Sequence, residues 1–186
     1  MIDDLSKYSS CETLDVDIDL ETDTINVREL KMEQQPSGAQ DKIGLTGHVC
    51  ITLRDTITGK IKEQIEMKNL VVTTGKVWLA QRLNDETVNN QSHVAIGTSN
   101  QAPAAGDTGL VGTQVARVAA TKTRTSNAVK FSAQYVAGVG TSSTINEAGI
   151  FDGSSGTVML ARVITPSTIN KTSTDELNID WTITVS

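Results

Sequence analysis

Apolar residues recur at every second position in segment after segment of this chain. In residues 47–54 they are Val49, Ile51 and Leu53, and in residues 14–20 they are Leu14, Val16, Ile18 and Leu20. Successive side chains of a strand point to opposite faces, so this pattern fits half-buried strands and excludes an amphipathic helix over the same residues. Turn signals separate the runs. Asp55 to Gly59 ends in glycine, Ser126 and Asn127 stand between two long alternating segments, and Asp152-Gly153-Ser154-Ser155-Gly156 has the composition of a hairpin connection. The spacing predicts strands over 47–54, 61–67 with residues 70–72 closing the same strand, 93–97, 113–125, 127–137, 144–151, 157–164 and 176–185. In the second of these, Glu63 between Ile61 and Ile65 predicts a bulge or an exposed edge. Threonine is abundant throughout, as pleated, partly exposed strands favour. The expected fold is mainly β, an antiparallel β-sandwich or jelly roll with one short helix and an extended N-terminal arm.

The helix is expected after Val72. Thr73 or Thr74 would cap it, Val77, Trp78, Leu79, Ala80 and Leu83 would form its buried side, and Asn84 would stop it. Residues 98–112, rich in Gly, Ala, Pro, Asn and Asp, read as a long loop, a length often tied to function or partner binding. Only 3% of the 186 residues are aromatic, so the core must come mostly from Val, Ile, Leu and Ala.

The charge is unevenly placed. Residues 1–35 hold ten acids and three bases, whereas the remaining chain holds twelve acids and thirteen bases. The Gln34-Gln35-Pro36-Ser37-Gly38-Ala39 run marks a boundary, which divides the chain into an acidic arm, 1–42, and a near-neutral body, 43–186. A neutral body lacks the basic surface that grips nucleic acid. No apolar run approaches 18 residues, so no membrane span is expected. The acidic start at Asp3 and Asp4 is unlike a secretory or transit leader.

The arm's alternation sets Leu14, Val16, Ile18 and Leu20 against Asp15, Asp17, Asp19 and Glu21. A lone strand of this kind is not stable in water and needs something to lie against, so these eight residues are the candidate partner interface. A calcium loop would need glycine at its sixth position and glutamate at its twelfth, where Leu20 and Asn26 stand. Cys11 and Cys50 have no CxxC spacing and read as unrelated thiols, the alternative being a bridge that pins the arm to the body. With His48 and His93 far apart in the chain, no metal site is expected. Gly97-Thr98-Ser99-Asn100, Gly106-Asp107-Thr108-Gly109 and Gly75-Lys76 all lack the rest of a phosphate-binding motif, so no cofactor is expected. GxSxG is absent, both histidines read as strand residues, and Glu147 and Asp152 bracket a strand in what reads as turn or edge duty. The expectation is a non-enzymatic protein.

Four stretches carry a resemblance. They are NLVVTTGKVWLAQRL from Asn69, HVAIGTSNQAPAAGDTGLVGTQVAR from His93, INEAGIFD from Ile145, and MLARVI from Met159 with INKTSTDELNIDWTITV from Ile169. Their order resembles that of small virion structural proteins of tailed bacteriophages, of the capsid decoration (cement) or tail-collar type, over roughly residues 47–186. The arm lies outside the resemblance, and the family has no catalytic residues to carry over. The resemblance implies a self-assembling particle component, made in the bacterial host cytoplasm and residing in the virion. It also implies a homo-oligomer whose partners are a major capsid protein or tail proteins. With the last strand ending one residue before Ser186, no shaft or tip is expected, which favours a capsid decoration protein. The alternatives are a tail, collar or baseplate part and, more remotely, a carbohydrate-binding β-sandwich module, for which six aromatics are few.

Overall fold

The structure is a computed structural model that describes residues 14–19, 24–29 and 44–186. The chain divides into two compact units, Met1–Asp41 and Lys42–Ser186. In the first, β1 (Leu14–Asp19) pairs antiparallel with β2 (Thr24–Glu29), in a register that sets Val16 opposite Val27, Ile18 opposite Ile25 and Asp15 opposite Arg28. The first strand is the one expected from the alternation. Its partner, which carries the alternating Ile25 and Val27, is not among the strands predicted above.

The second unit carries nine strands and one helix. They are β3 (Leu45–Asp55), β4 (Ile61–Lys68), β5 (Leu70–Val71), α1 (Thr73–Leu83), β6 (His93–Gly97), β7 (Gln114–Thr125), β8 (Ala128–Tyr135), β9 (Ser142–Phe151), β10 (Met159–Lys171) and β11 (Asp175–Val185). The fold is mainly antiparallel β with a single short helix, as the sequence predicts. The two layers of a sandwich are, however, one continuous hydrogen-bonded order, β4-β3-β11-β8-β7-β6-β9-β10-β5. The sheet curls until it nearly closes. Ser167 of β10 donates to Glu63 Oε1 of β4 across the seam at 2.8 Å, and Asn69, between β4 and β5, donates its backbone N–H to Gly47 O of β3. The chain therefore does not simply finish β4 with residues 70–72. It crosses from one edge of the order to the other, and β5 pairs with β10 at Ala161 and Arg162.

One core fills the curl. Val49, Ile51 and Leu53 of β3 and Phe131, Ala133 and Tyr135 of β8 flank Leu177, Ile179 and Trp181 of β11, which run along the centre. Half-buried or exposed residues on β3 and β11 alternate with these, because the second face of those strands is less covered. On β6, β9 and β10 burial is nearly continuous. There a second small cluster, Val72, Ala95, Phe151 and Met159 with Leu110, packs on the outer face beneath the 98–113 loop. β10 does not end at Ile164, as the spacing predicts, but runs on through Pro166 to Lys171. The pairing with β9 shifts register between Ile164 and Ile169, an irregularity of the kind that tolerates a residue with no N–H to give. The bulge expected on β4 lies between Ile61 and Glu63, and β4 is also an edge strand.

The helix occupies the expected residues and stops at Asn84, but its seating differs. Val77 and Leu83 are exposed, Ala80 is exposed, and Trp78 and Leu79 are only half-buried. Its N-cap is Val72 with no side-chain cap, and the Thr74 hydroxyl instead donates to Met159 O at 2.7 Å. The one buried residue is Gly75. A Cβ there would lie 2.3 Å from Leu160 O and 2.8 Å from Leu160 Cα, so α1 rests with its backbone directly on β10. Gly75→Ala is therefore expected to destabilise the body by about 1–3 kcal/mol through overpacking, against a helix-propensity gain of about 1 kcal/mol. The urea midpoint measures the net effect, and a rise in that midpoint would show that the close approach costs nothing to relieve.

Candidate functional site

The long loop is the most elaborately anchored part of the molecule. Glu147 on β9 and Arg162 on β10 are both completely buried, on neighbouring strands whose register pairs Glu147 with Ile164 and Arg162 with Gly149. Arg162 donates from Nε to Glu147 Oε2 at 2.9 Å, with Nη2 at 2.8 Å from the same oxygen. Its Nη1 reaches Asp107 Oδ2 at 2.9 Å, and Nη2 also donates to Gln101 O at 3.0 Å. Glu147 uses its remaining acceptor capacity on the loop backbone. Oε1 takes the N–H of Ser99 (3.1 Å) and Gly112 (2.7 Å), and Oε2 takes that of Val111 (3.1 Å). Both ends of the loop are thus tied to one carboxylate, and its middle is held by Asp107 and Gln101 on the guanidinium. Gly112 belongs to this geometry, since a Cβ there would stand 2.4 Å from Ser99 N. Buried charges need a counter-charge and hydrogen bonds, and these two have each other and at least one partner on every side-chain nitrogen and oxygen that carries the charge.

This corrects the reading of Glu147 as a turn or edge residue. Nothing in the sequence around Ile145 distinguishes a solvated glutamate from one beneath a loop that is distant in sequence. The available signal was the company it keeps, because Glu147 sits in a run that is otherwise apolar or small on both faces, Ala148-Gly149-Ile150-Phe151. Asp152 does serve a turn, its Oδ1 accepting the N–H of Val158 at 3.1 Å.

A cleft of about 540 Å³ opens between the outer side of the loop and the 152–157 turn. Arg117, on β7, lies at its floor. The guanidinium stacks over Phe151, 3.8 Å from the ring centre, and is fixed along two edges. Nε donates to Gln114 Oε1 at 3.1 Å, and Nη1 donates to Gly153 O at 3.1 Å and Gly156 O at 2.7 Å. Burial pulls the Arg117 pKa down and the charge of Asp152 pushes it back, with the guanidinium protonated throughout the accessible pH range.

A second buried charge cluster closes the β10–β11 turn. Lys171 donates to Asp175 O at 2.6 Å and Val136 O at 3.1 Å. Burial lowers its pKa, opposed by Asp175 and Glu176. Burial alone would raise the Asp175 pKa, but Lys62 Nζ at 2.7 Å and the Thr172 donors outweigh it and hold the carboxyl below its ordinary range. Lys171 and Asp175 are buried beneath the exposed Lys62 and Thr172, and the cluster reads as a turn lock. Tyr135 is also sealed in, its hydroxyl donating to Val94 O at 2.7 Å, and burial raises its pKa far above the phenolic range.

The other residues singled out from sequence stay apart. His48 on β3 is exposed, 3.7 Å from Glu66, and His93 on β6 contacts Ser92 Oγ at 2.9 Å. Cys50 is half-buried on β3, and Cys11, the other half of the bridge weighed above, lies outside the described residues. Of the candidate interface, Leu14, Asp15, Val16, Asp17, Ile18 and Asp19 form β1, while Leu20 and Glu21 lie outside the described residues. Among the described residues, no group of three or more His, Cys, Asp or Glu is placed to hold a metal ion, and no helix is long and apolar enough to cross a membrane. Comparison with known proteins finds no matching family model, no matching curated sequence and no matching solved structure.

Proposed function

We propose that this chain is a non-enzymatic structural protein of a tailed-phage virion, a capsid decoration protein that binds neighbouring capsid subunits through its arm and loops. One observation supports the reading above the rest: the stretches that carry the resemblance, scattered through the sequence, belong to one physical unit. The stretch from His93 contains the loop, INEAGIFD contributes Glu147 beneath it, and MLARVI contributes Arg162. The stretch from Asn69 brings α1 onto β10 at Leu160. These residues act together to hold a loop rigidly on a β body, which is what a surface protein with a fixed docking face requires. The buried ion pairs are fully occupied by the protein's own groups and are not open to a substrate.

In this reading the arm supplies the reach. Burying Leu14, Val16, Ile18 and Leu20 in a capsid groove would contribute about 6–10 kcal/mol before the entropy of ordering the arm, and the intervening acids would meet basic groups at its rim. Deleting residues 1–35 is expected to leave a folded body that no longer co-sediments with particles of the encoding phage prepared without this protein. Equal co-sedimentation by the truncated chain would refute the role of the arm. Immunogold labelling distinguishes this position from the second reading, a tail, collar or baseplate part, since gold on the shell supports the first and gold on the tail the second.

A further inference from the structure

The cleft above Arg117 has the makings of a binding site that the structural role does not use. Among the residues lining it, Arg117 is the only one that ionises. Its stacking on Phe151 and its bonds through Nε and Nη1 fix the guanidinium plane, yet Nη2 donates to no described residue. The entropy of ordering an arginine fork is usually lost on binding, but here the fold has already lost it. The 152–157 turn forms one wall, and Ser154, Ser155 and Thr157 on it are exposed. None of their backbone N–H groups has an acceptor among the described residues. A fixed cationic donor beside exposed hydroxyls and free amides makes an oxyanion site.

The chemistry of the occupant can be narrowed. Arg117 is the one cation in the lining and the charge of Asp152 offsets part of it, so each added negative charge on the occupant costs more and a phosphate dianion is disfavoured relative to a monoanion. A carboxylate fits. An acidic sugar would need an aromatic face to stack on, but Phe151 is the only aromatic in the lining, is 2% exposed and is already covered by Arg117. The space is an open trough between two loops, a shape that suits an extended chain whose carbonyls can meet the wall donors. We propose that this cleft docks an aspartate or glutamate side chain on an extended segment of a partner protein, with Arg117 Nη2 as the anchor. The choice of a protein partner rests on the assembly role above, while the carboxylate site rests on geometry alone.

The test is a titration of the full, ¹⁵N-labelled chain followed by amide and arginine Nε shifts. The probes are acetyl-Gly-Asp-Gly-amide, its Asn counterpart, galacturonate and inorganic phosphate. The Asp peptide should give saturable shifts in residues 154–157, in 108–112 and at Arg117 Nε, with at least about tenfold weaker binding of the Asn peptide. Ser155→Glu places a carboxylate at the exposed mouth, disturbs no packing and should abolish the shifts while leaving the thermal midpoint unchanged. Arg117→Lys should weaken binding about tenfold or more, because an ammonium does not keep the stacked fork. The proposal is overturned if the Asn peptide binds equally, if no probe binds saturably, if galacturonate or phosphate binds tighter than the Asp peptide, or if the folded Ser155→Glu chain still binds it. No particle enters this measurement, so its failure would leave the capsid assignment standing, and failure of the capsid assignment would leave the carboxylate site standing.

Discussion

Glu147→Ala is expected to cost the body about 3–5 kcal/mol. Three losses combine. Arg162 stays completely buried but keeps only Asp107 as a counter-ion, and an under-compensated buried charge is the main penalty. The N–H groups of Ser99, Val111 and Gly112 lose their acceptor together. The loop then has no reason to cover Ala95, Phe151 and Met159, so the outer cluster partly opens to water. Since domains of this size are stable by about 5–15 kcal/mol, the loss is a large share of the total. Denaturant midpoints at constant m-value measure it, and hydrogen exchange at Ser99, Val111 and Gly112 should accelerate more than at Ile179 in the central strand. Glu147→Gln keeps the shape and one acceptor oxygen and should cost less. A double replacement, Glu147→Met with Arg162→Met, removes both charges at once and should recover part of the loss, because a buried ion pair is costly to break but not necessarily better than apolar packing. If Glu147→Ala left the midpoint within about 0.5 kcal/mol of the parent, in the range of an ordinary surface change, the ion pair would not be holding the loop.

Trp181→Ala is expected to cost a similar amount, about 3–5 kcal/mol, for an apolar reason. Trp181 is completely buried in the central strand, directly between Val49 of β3 and Phe131 of β8. It is also the largest of the fully buried side chains, so its removal leaves a larger space than any other single core truncation among the described residues. The indole has a second task. Its Nε1 donates to Asn69 Oδ1 at 2.8 Å, and Asn69 lies where the chain leaves β4 for β5 on the far edge of the sheet. Trp181→Phe separates the two contributions. It keeps most of the area, and its cost of about 1–3 kcal/mol would come mainly from leaving Asn69 without a donor. The side-chain Nδ2 of that asparagine is already buried without a partner, so among the described residues Trp181 is its one side-chain bond. A Phe variant as stable as the parent would show that the crossing needs no such latch.

These two residues illustrate how much of the molecule could be read from the chain. The burial of Trp181 follows from its place in the alternation Leu177, Ile179, Trp181, Ile183, which local sequence displays because a strand's side chains alternate whatever lies beyond them. The same logic made β3, β8 and the turn at Asp55 legible. It failed where burial has two sides. On β9 and β10 the second covering layer comes from α1 and the 98–113 loop, so continuous burial there could not be anticipated from β9 and β10 themselves. It failed again for the helix, where Gly75 sets the packing by what it lacks, and an apolar stripe through Val77 and Leu83 faces solvent. Glu147 is the extreme case, because its role depends on three amides at least 35 positions away.

The sequence by itself determined the class of fold, the place of nearly every strand and the separation of an acidic arm from a near-neutral body, since periodicity, turn chemistry and charge are local quantities. Only the tertiary structure decided that the strands join in a single, nearly closed sheet, that one buried carboxylate ties down the long loop, and that Arg117 ends with one edge unoccupied. Those outcomes depend on which distant groups are brought within hydrogen-bond range and out of water, and desolvation by a remote segment leaves no trace in the spacing of the residues it covers.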